Sequence, residues 1–250
     1  MKIFSVVNLS KESPQTSAFV ESSQSAFDKI NFLFSKGTDY VDIGGRSSYS
    51  QSIMIDEALE QKRLTPLFEL LKQHNIGSIS LDTWSAETAL RYLNGIAVLN
   101  YTSTEFTQPL ITALADSEVK LVINYLYASN PYALRTAPYR AFELQLILDY
   151  FAEKVHRLTQ QGVAVLAIDP NLGMWHPAVP NEKKTEIQQQ IIECIPQLKK
   201  LAPVFIVAPR TAGSLNTTLT ELIIEKGADF LRTHDLEHVQ GLVQNQMNSG

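Results

Sequence analysis

Eight short apolar runs recur along the 250 residues, each leading into a longer segment of helical period. The runs fall at 2–7, 40–43, 78–81, 97–99, 120–123, 165–168, 204–207 and 229–231. A strand-helix alternation of this kind cannot pair its strands through tight hairpins, so it builds a parallel sheet with crossover helices. Eight parallel strands favour closure, because an open doubly wound sheet usually holds fewer. The expected fold is therefore α/β, a (β/α)8 barrel occupying residues 1–250 as a single domain. Segment 141–160 shows the helical pattern, with Phe142, Leu146, Phe151, Val155 and Leu158 in one apolar stripe. Gly37, Gly162 and Gly227 each stand between a helical stretch and a strand, where a left-handed helix cap is needed.

The residues at the end of each run carry the chemistry. The first run ends in Asn8, the second holds Asp42 before Gly44 and Gly45, the third ends in Asp82 and the fourth in Asn100. The fifth ends in Asn124, the sixth in Asp169, the seventh leads to Arg210, and the eighth ends in Arg232 with His234 just beyond. In a barrel these tips meet at one end, under the βα loops, here expected at 9–16, 46–52 and 130–138. The result is a polar pocket with acids and amides toward one side and cations toward the other. Asp and Asn can accept from and donate to the edge of a heterocycle, while Arg, His and an amide can hold a diphosphate or the magnesium bound to it. A single polar residue at a strand end is commonly a turn or cap former; eight at corresponding places are harder to explain that way.

Composition narrows the partners. A net charge of -5 gives no basic stripe for a phosphodiester backbone, so nucleic acid is not expected. Hydrophobic residues at 44% and charged residues at 19% are those of an ordinary globular chain. No segment reaches the length of a membrane span, and the start of the chain lacks a signal-peptide pattern. The lone Cys194 excludes an intrachain disulfide and reads as a core residue. A cytoplasmic location is the expectation.

The motifs at the strand tips resemble those of dihydropteroate synthase nearly end to end. They are Val7-Asn8, Val41-Asp42-Ile43-Gly44-Gly45, Ser80-Leu81-Asp82-Thr83, Leu99-Asn100, Ala167-Ile168-Asp169-Pro170 with Gly173 three residues on, and Gly227-Ala228-Asp229-Phe230-Leu231-Arg232-Thr233-His234. The last is the most specific. The resemblance implies a transferase that joins a pterin methyl diphosphate to 4-aminobenzoate with release of diphosphate. It places Asn100 and Asp169 on the pterin ring and Asp82 beside its reacting edge. Asn8, Arg232 and His234 would hold the leaving diphosphate, with Mg2+ near Asn8, and Arg210 would border the arylamine. It also implies a homodimer.

The chain departs from the family at several places. Ser-Arg-Lys after the seventh strand is Pro209-Arg210-Thr211, and the first and second loops read Ser10-Lys11-Glu12-Ser13-Pro14 and Arg46-Ser47-Ser48-Tyr49-Ser50. Tyr101 stands where the family has aspartate, and Asp-Pro-Gly-x-Gly-Phe has become Asp169-Pro170-Asn171-Leu172-Gly173-Met174. Lys11 and Arg46 are candidates to replace a lost cation. Three functions are therefore open: a working synthase with altered loops, a pterin-binding paralogue without catalysis, and a related transferase for a different pterin or nucleophile. Trp84, Trp175 and the tyrosines near the fifth loop read as packing and receive no role.

Overall fold

The computed structural model describes residues 1–13, 18–49, 52–209 and 214–249. Eight parallel strands, β1 (Lys2–Asn8), β2 (Tyr40–Gly44), β3 (Ile79–Thr83), β4 (Val98–Tyr101), β5 (Lys120–Asn124), β6 (Val165–Asp169), β7 (Phe205–Val207) and β8 (Phe230–Thr233), alternate with helices. The main helices are α1 (Ser23–Ser35), α2 (Glu57–Gln73), α3 (Ala86–Tyr92), α4 (Gln108–Ala115), α5 (Leu144–Gln160), α6 (Asn181–Glu193), α7 (Ile195–Leu198), α8 (Ser214–Glu225) and α9 (Leu236–Ser249). The strand order β6-β5-β4-β3-β2-β1-β8-β7 leaves one seam, which an Ile168–Val204 bridge and an Ile168 N–H bond to the Pro203 carbonyl at 2.9 Å close. The expected barrel is the observed one. Gly37, Gly162 and Gly227 have φ of 86°, 87° and 79°, as the cap reading requires.

Most strands run one or two residues further than their apolar runs, because the polar tips still pair. Gly44 stands opposite Asp82, Asp82 opposite Asn100, and Asn124 opposite Asp169. Helix α5 starts at Leu144, three residues after the apolar pattern begins, on the cap residue Glu143. Side chains two apart share a face of a strand, and this period sorts the barrel interior into layers. Toward the strand starts lie Phe4, Val98, Val122, Ala167 and Phe205, with Tyr40 stacked on Phe4 at 4.4 Å between centroids and Phe205 edge-on at 5.0 Å. Two residues on, β1, β2, β4, β5 and β6 carry Val6, Asp42, Asn100, Asn124 and Asp169. An apolar floor thus supports a polar layer, and the larger core lies outside it between strands and helices. Cys194 is buried in that outer core, and burial pushes its thiol up. Among the described residues no helix is long and apolar enough to cross a membrane.

Candidate active site at the C-terminal end of the barrel

Asp42 is the centre of the polar layer. It is fully buried and accepts from Ser80 Oγ at 2.6 Å, Asn100 Nδ2 at 3.2 Å and Arg232 Nε. Arg232 also donates from Nη2 to Asp82 Oδ2 at 2.8 Å, so one guanidinium bridges two carboxylates. Asn124 continues the chain by donating to Asn100 Oδ1 at 2.9 Å. Thr102 Oγ1 donates to the other oxygen of Asp82 at 3.3 Å. The acids and the cation of β8 are therefore in direct contact rather than on separated sides, and among the described residues no ion pair joins Arg232 to Asp229 or Asp235. Asp229 instead binds Lys199 at 2.9 Å.

Burial chiefly pushes Asp82 up to about 7; the charges of Asp42 and Glu60 add to this while Arg232 and Thr102 oppose it. Burial also pushes Asp169 up to about 7, against the hydrogen bond it accepts from the Asn171 N–H at 2.8 Å and the charge of Arg232. Two carboxyls poised near neutrality can each accept a hydrogen bond in one state and donate one in the other. Asn171 holds the turn after β6 with φ of 65°, a left-handed backbone that asparagine tolerates. Its Oδ1 accepts from Gly173 N–H at 3.1 Å and Met174 N–H at 2.8 Å. The asparagine substitution in that motif is structurally mild.

A cleft of about 40 Å³ opens onto this layer, lined by Asn8, Gly44, Arg46, Ser48, Asp82, Arg232 and His234 among others. Of the residues expected at the site, Asn8, Asp82, Arg232 and His234 line the cleft; Asn100 joins through Asp42, and Asp169 lies at the matching tip of β6. Arg210 and Thr211 lie outside the described residues. Pockets for small ligands commonly measure ~300 Å³ or more, so the cleft beneath these loops is smaller than a bicyclic ring needs.

The described parts of those loops are tied down. Glu12 accepts from Arg63 Nη1 at 2.8 Å and Nη2 at 2.7 Å, and Ser10 Oγ adds a bond at 2.8 Å. Arg135, after β5, donates to the carbonyls of Ser52 at 2.8 Å and Tyr49 at 2.9 Å. The Arg63 hydrogen bonds hold Glu12 down at about 2, below its ordinary carboxylate range. A depressed acid stabilises the fold above the unfolded pKa of about 4.3 and loses this as pH falls toward the folded value. Glu12→Gln is accordingly expected to lower the melting temperature at pH 6 and to change it little at pH 2. Equal losses at both values would mean that the charge of Glu12 contributes nothing to stability.

Sequence reasoning counts Asp42 among the polar strand ends without an individual role, and assigns none to Glu60, Ser80 or Thr102. Asp42 shows as a charge inside the apolar run Val41-Asp42-Ile43, and a buried carboxylate requires partners. Glu60 shows on the apolar stripe of α2, in register with Leu64, Leu67 and Leu71, and is fully buried. Ser80 and Thr102 carry no comparable signal.

Known proteins share this fold. A dihydropteroate synthase type-3 from Escherichia coli is 26% identical over 259 residues, covering 94% of each chain. A Xanthomonas albilineans dihydropteroate synthase solved with 4-aminobenzoic acid superposes with a TM-score of 0.79 at 21% identity, covering 100% of this chain and 93% of its own. An Anaplasma phagocytophilum dihydropteroate synthase with bound 6-hydroxymethylpterin-monophosphate gives 0.78 at 22% identity, covering 100% and 99%. At these identities the two structures establish the barrel fold. The family model described as pterin binding enzyme matches residues 4–234, from the first strand to the histidine after the last, and the chain belongs to that family.

Proposed function

We propose that this protein is a dihydropteroate synthase, condensing a 6-hydroxymethyl-dihydropterin diphosphate with 4-aminobenzoate in folate biosynthesis. The observation that carries the reading is the buried polar layer, in which Asp42, Asp82, Asn100, Asn124 and Arg232 form one connected hydrogen-bonded set under the cleft. The solved synthases carrying 4-aminobenzoic acid and a pterin monophosphate share this fold, which supports the substrate assignment.

In this reading Asp169 and Asn100 take the donor and acceptor edge of the pterin, and Asp82 lies beside the reacting side. Asn8, Arg232 and His234 hold the diphosphate, and Arg210 borders the arylamine. The bond from the pterin methylene to the diphosphate oxygen breaks, leaving a cationic methylene next to fixed carboxylates. The arylamine nitrogen then forms the new C–N bond and gives up a proton. Preorganised charge of both signs favours that separation, because the groups need no rearrangement as charge develops.

Magnesium enters this reading with the diphosphate rather than as a resident ion. Among the described residues no group of three acids, histidines or cysteines could hold a metal. Asn8 Oδ1 already accepts the Ser10 N–H at 2.9 Å and retains one lone pair. Mg2+ keeps several waters and is commonly bound through phosphate oxygens plus one or two protein ligands, which fits a single amide. A homodimer and a cytoplasmic location complete the proposal. Sedimentation at twice the 28.0 kDa chain mass is expected.

The deciding experiment is diphosphate release from the pterin methyl diphosphate. Release is expected only with Mg2+ and 4-aminobenzoate both present. A pure protein that binds the pterin and releases nothing would instead be a non-catalytic pterin-binding paralogue.

A further inference from the structure

Arg232 has Nε and Nη2 engaged by carboxylates, which leaves only part of its fork for a phosphoryl group arriving at the cleft. Arg46 is differently placed. It also lines the cleft, and its side chain is only 7% exposed. The guanidinium lies over the Trp84 ring, 4.2 Å from its centroid, and Nε stands 2.9 Å from Glu60 Oε2. Its Nη2 is buried and has no hydrogen-bond partner among the described residues. An orphaned N–H of this kind is costly to keep unless a ligand satisfies it.

The surroundings fix Arg46 in place. Glu60 is itself held by Thr83 Oγ1 at 2.9 Å and Thr88 Oγ1 at 3.0 Å. Gly45 lets the end of β2 lie directly on α2, since a Cβ there would stand 2.9 Å from Glu60 Cγ and 3.1 Å from Leu64 Cγ. That contact sets Arg46 between a carboxylate and an indole while leaving Nη2 unmatched. A guanidinium so held suits phosphate oxygens, which it can meet with parallel N–H bonds.

We propose that Arg46, caged by Glu60 and Trp84, is a phosphate-binding residue of this cleft and gives the site its preference for the diphosphate-bearing pterin over the bare ring. The inference rests on the proposed synthase reading and deepens it. Glu60 and Trp84 act as positioning residues, and the phosphoryl oxygens complete the Nη2 group.

The test is calorimetric titration of the full chain with magnesium diphosphate and, separately, with bare 6-hydroxymethylpterin. Arg46→Gln is expected to weaken diphosphate binding about tenfold or more, while changing bare-pterin affinity less than about twofold. Arg46→Lys, which keeps the charge and loses the fork, is expected to recover part of the loss. Removing Arg46 alone leaves Glu60 buried without its cation, so Arg46→Gln with Glu60→Gln provides a neutral pair should the single variant fail to fold. The double variant is expected to fold and still bind diphosphate poorly. Native-like diphosphate affinity in the folded variants, or equal losses for both ligands, would overturn the inference. Loss of diphosphate binding in Arg232→Ala but not in the Arg46 variants would sink this inference alone. A native protein that binds neither ligand would remove the synthase reading with it.

Discussion

Arg232→Ala is expected to cost about 3–5 kcal/mol of folding stability and to reduce turnover by roughly two to three orders of magnitude. The stability loss comes from what is left behind. Asp42 is fully buried and would retain only Ser80 and Asn100 as partners, while Asp82 would keep only Thr102 among its described hydrogen bonds. Two uncompensated acids then share one low-dielectric space. Arg232→Lys should recover part of the stability, because a point charge can neutralise without bridging both carboxylates. Urea denaturation at pH 7 gives the first number and diphosphate release the second. A stability loss below about 1 kcal/mol would mean that water or rearranged side chains satisfy the acids, and the connected layer would lose its place as the core of the site.

The barrel is legible in the sequence because its cause is local. Each strand-helix unit repeats the same apolar signal, and the three capping glycines mark helix ends at positive φ. The tips are legible for a different reason: a polar residue at the same place in eight units has no common structural need. Their arrangement is not, and sequence reasoning wrongly separates the acids from the cations. The two-residue strand period puts Asp42, Asn100 and Arg232 on one inner face, where the short barrel radius brings β2, β4 and β8 into contact. Asp42 is named among the polar residues of the strands, but its place as the hub between Ser80, Asn100 and Arg232 depends on strands far apart in the sequence. Arg46 can be suspected as a substitute cation, but its cage depends on Glu60 and Trp84, 14 and 38 positions further along, which only the fold brings together. Loop ties such as Glu12 with Arg63 are invisible for the same reason.

Asp169→Asn is expected to stabilise the ligand-free protein at pH 7 by up to about 4 kcal/mol while weakening the pterin. Burial raises the folded pKa of Asp169 to about 7, against about 4 in an unfolded chain. The folded state therefore binds more protons than the unfolded state between those values, and stability falls as pH rises from about 4 to about 7, levelling above. Asp82 adds to the same slope, since it too is raised to about 7. An amide at 169 has no charge to bury and still offers Oδ1 to the Asn171 N–H, so the slope should flatten and the midpoint at pH 7 should rise. A pterin edge that donates to the carboxylate favours its ionised form, so binding to the native protein near pH 6 should release protons. Titration calorimetry in buffers of different ionisation enthalpy reads that release, and Asp169→Asn should diminish it. A variant with unchanged pH 7 stability and undiminished proton release would show that Asp169 is satisfied by the protein alone. The acid would then be a fold element, and pterin recognition would pass to Asp82 and Asn100.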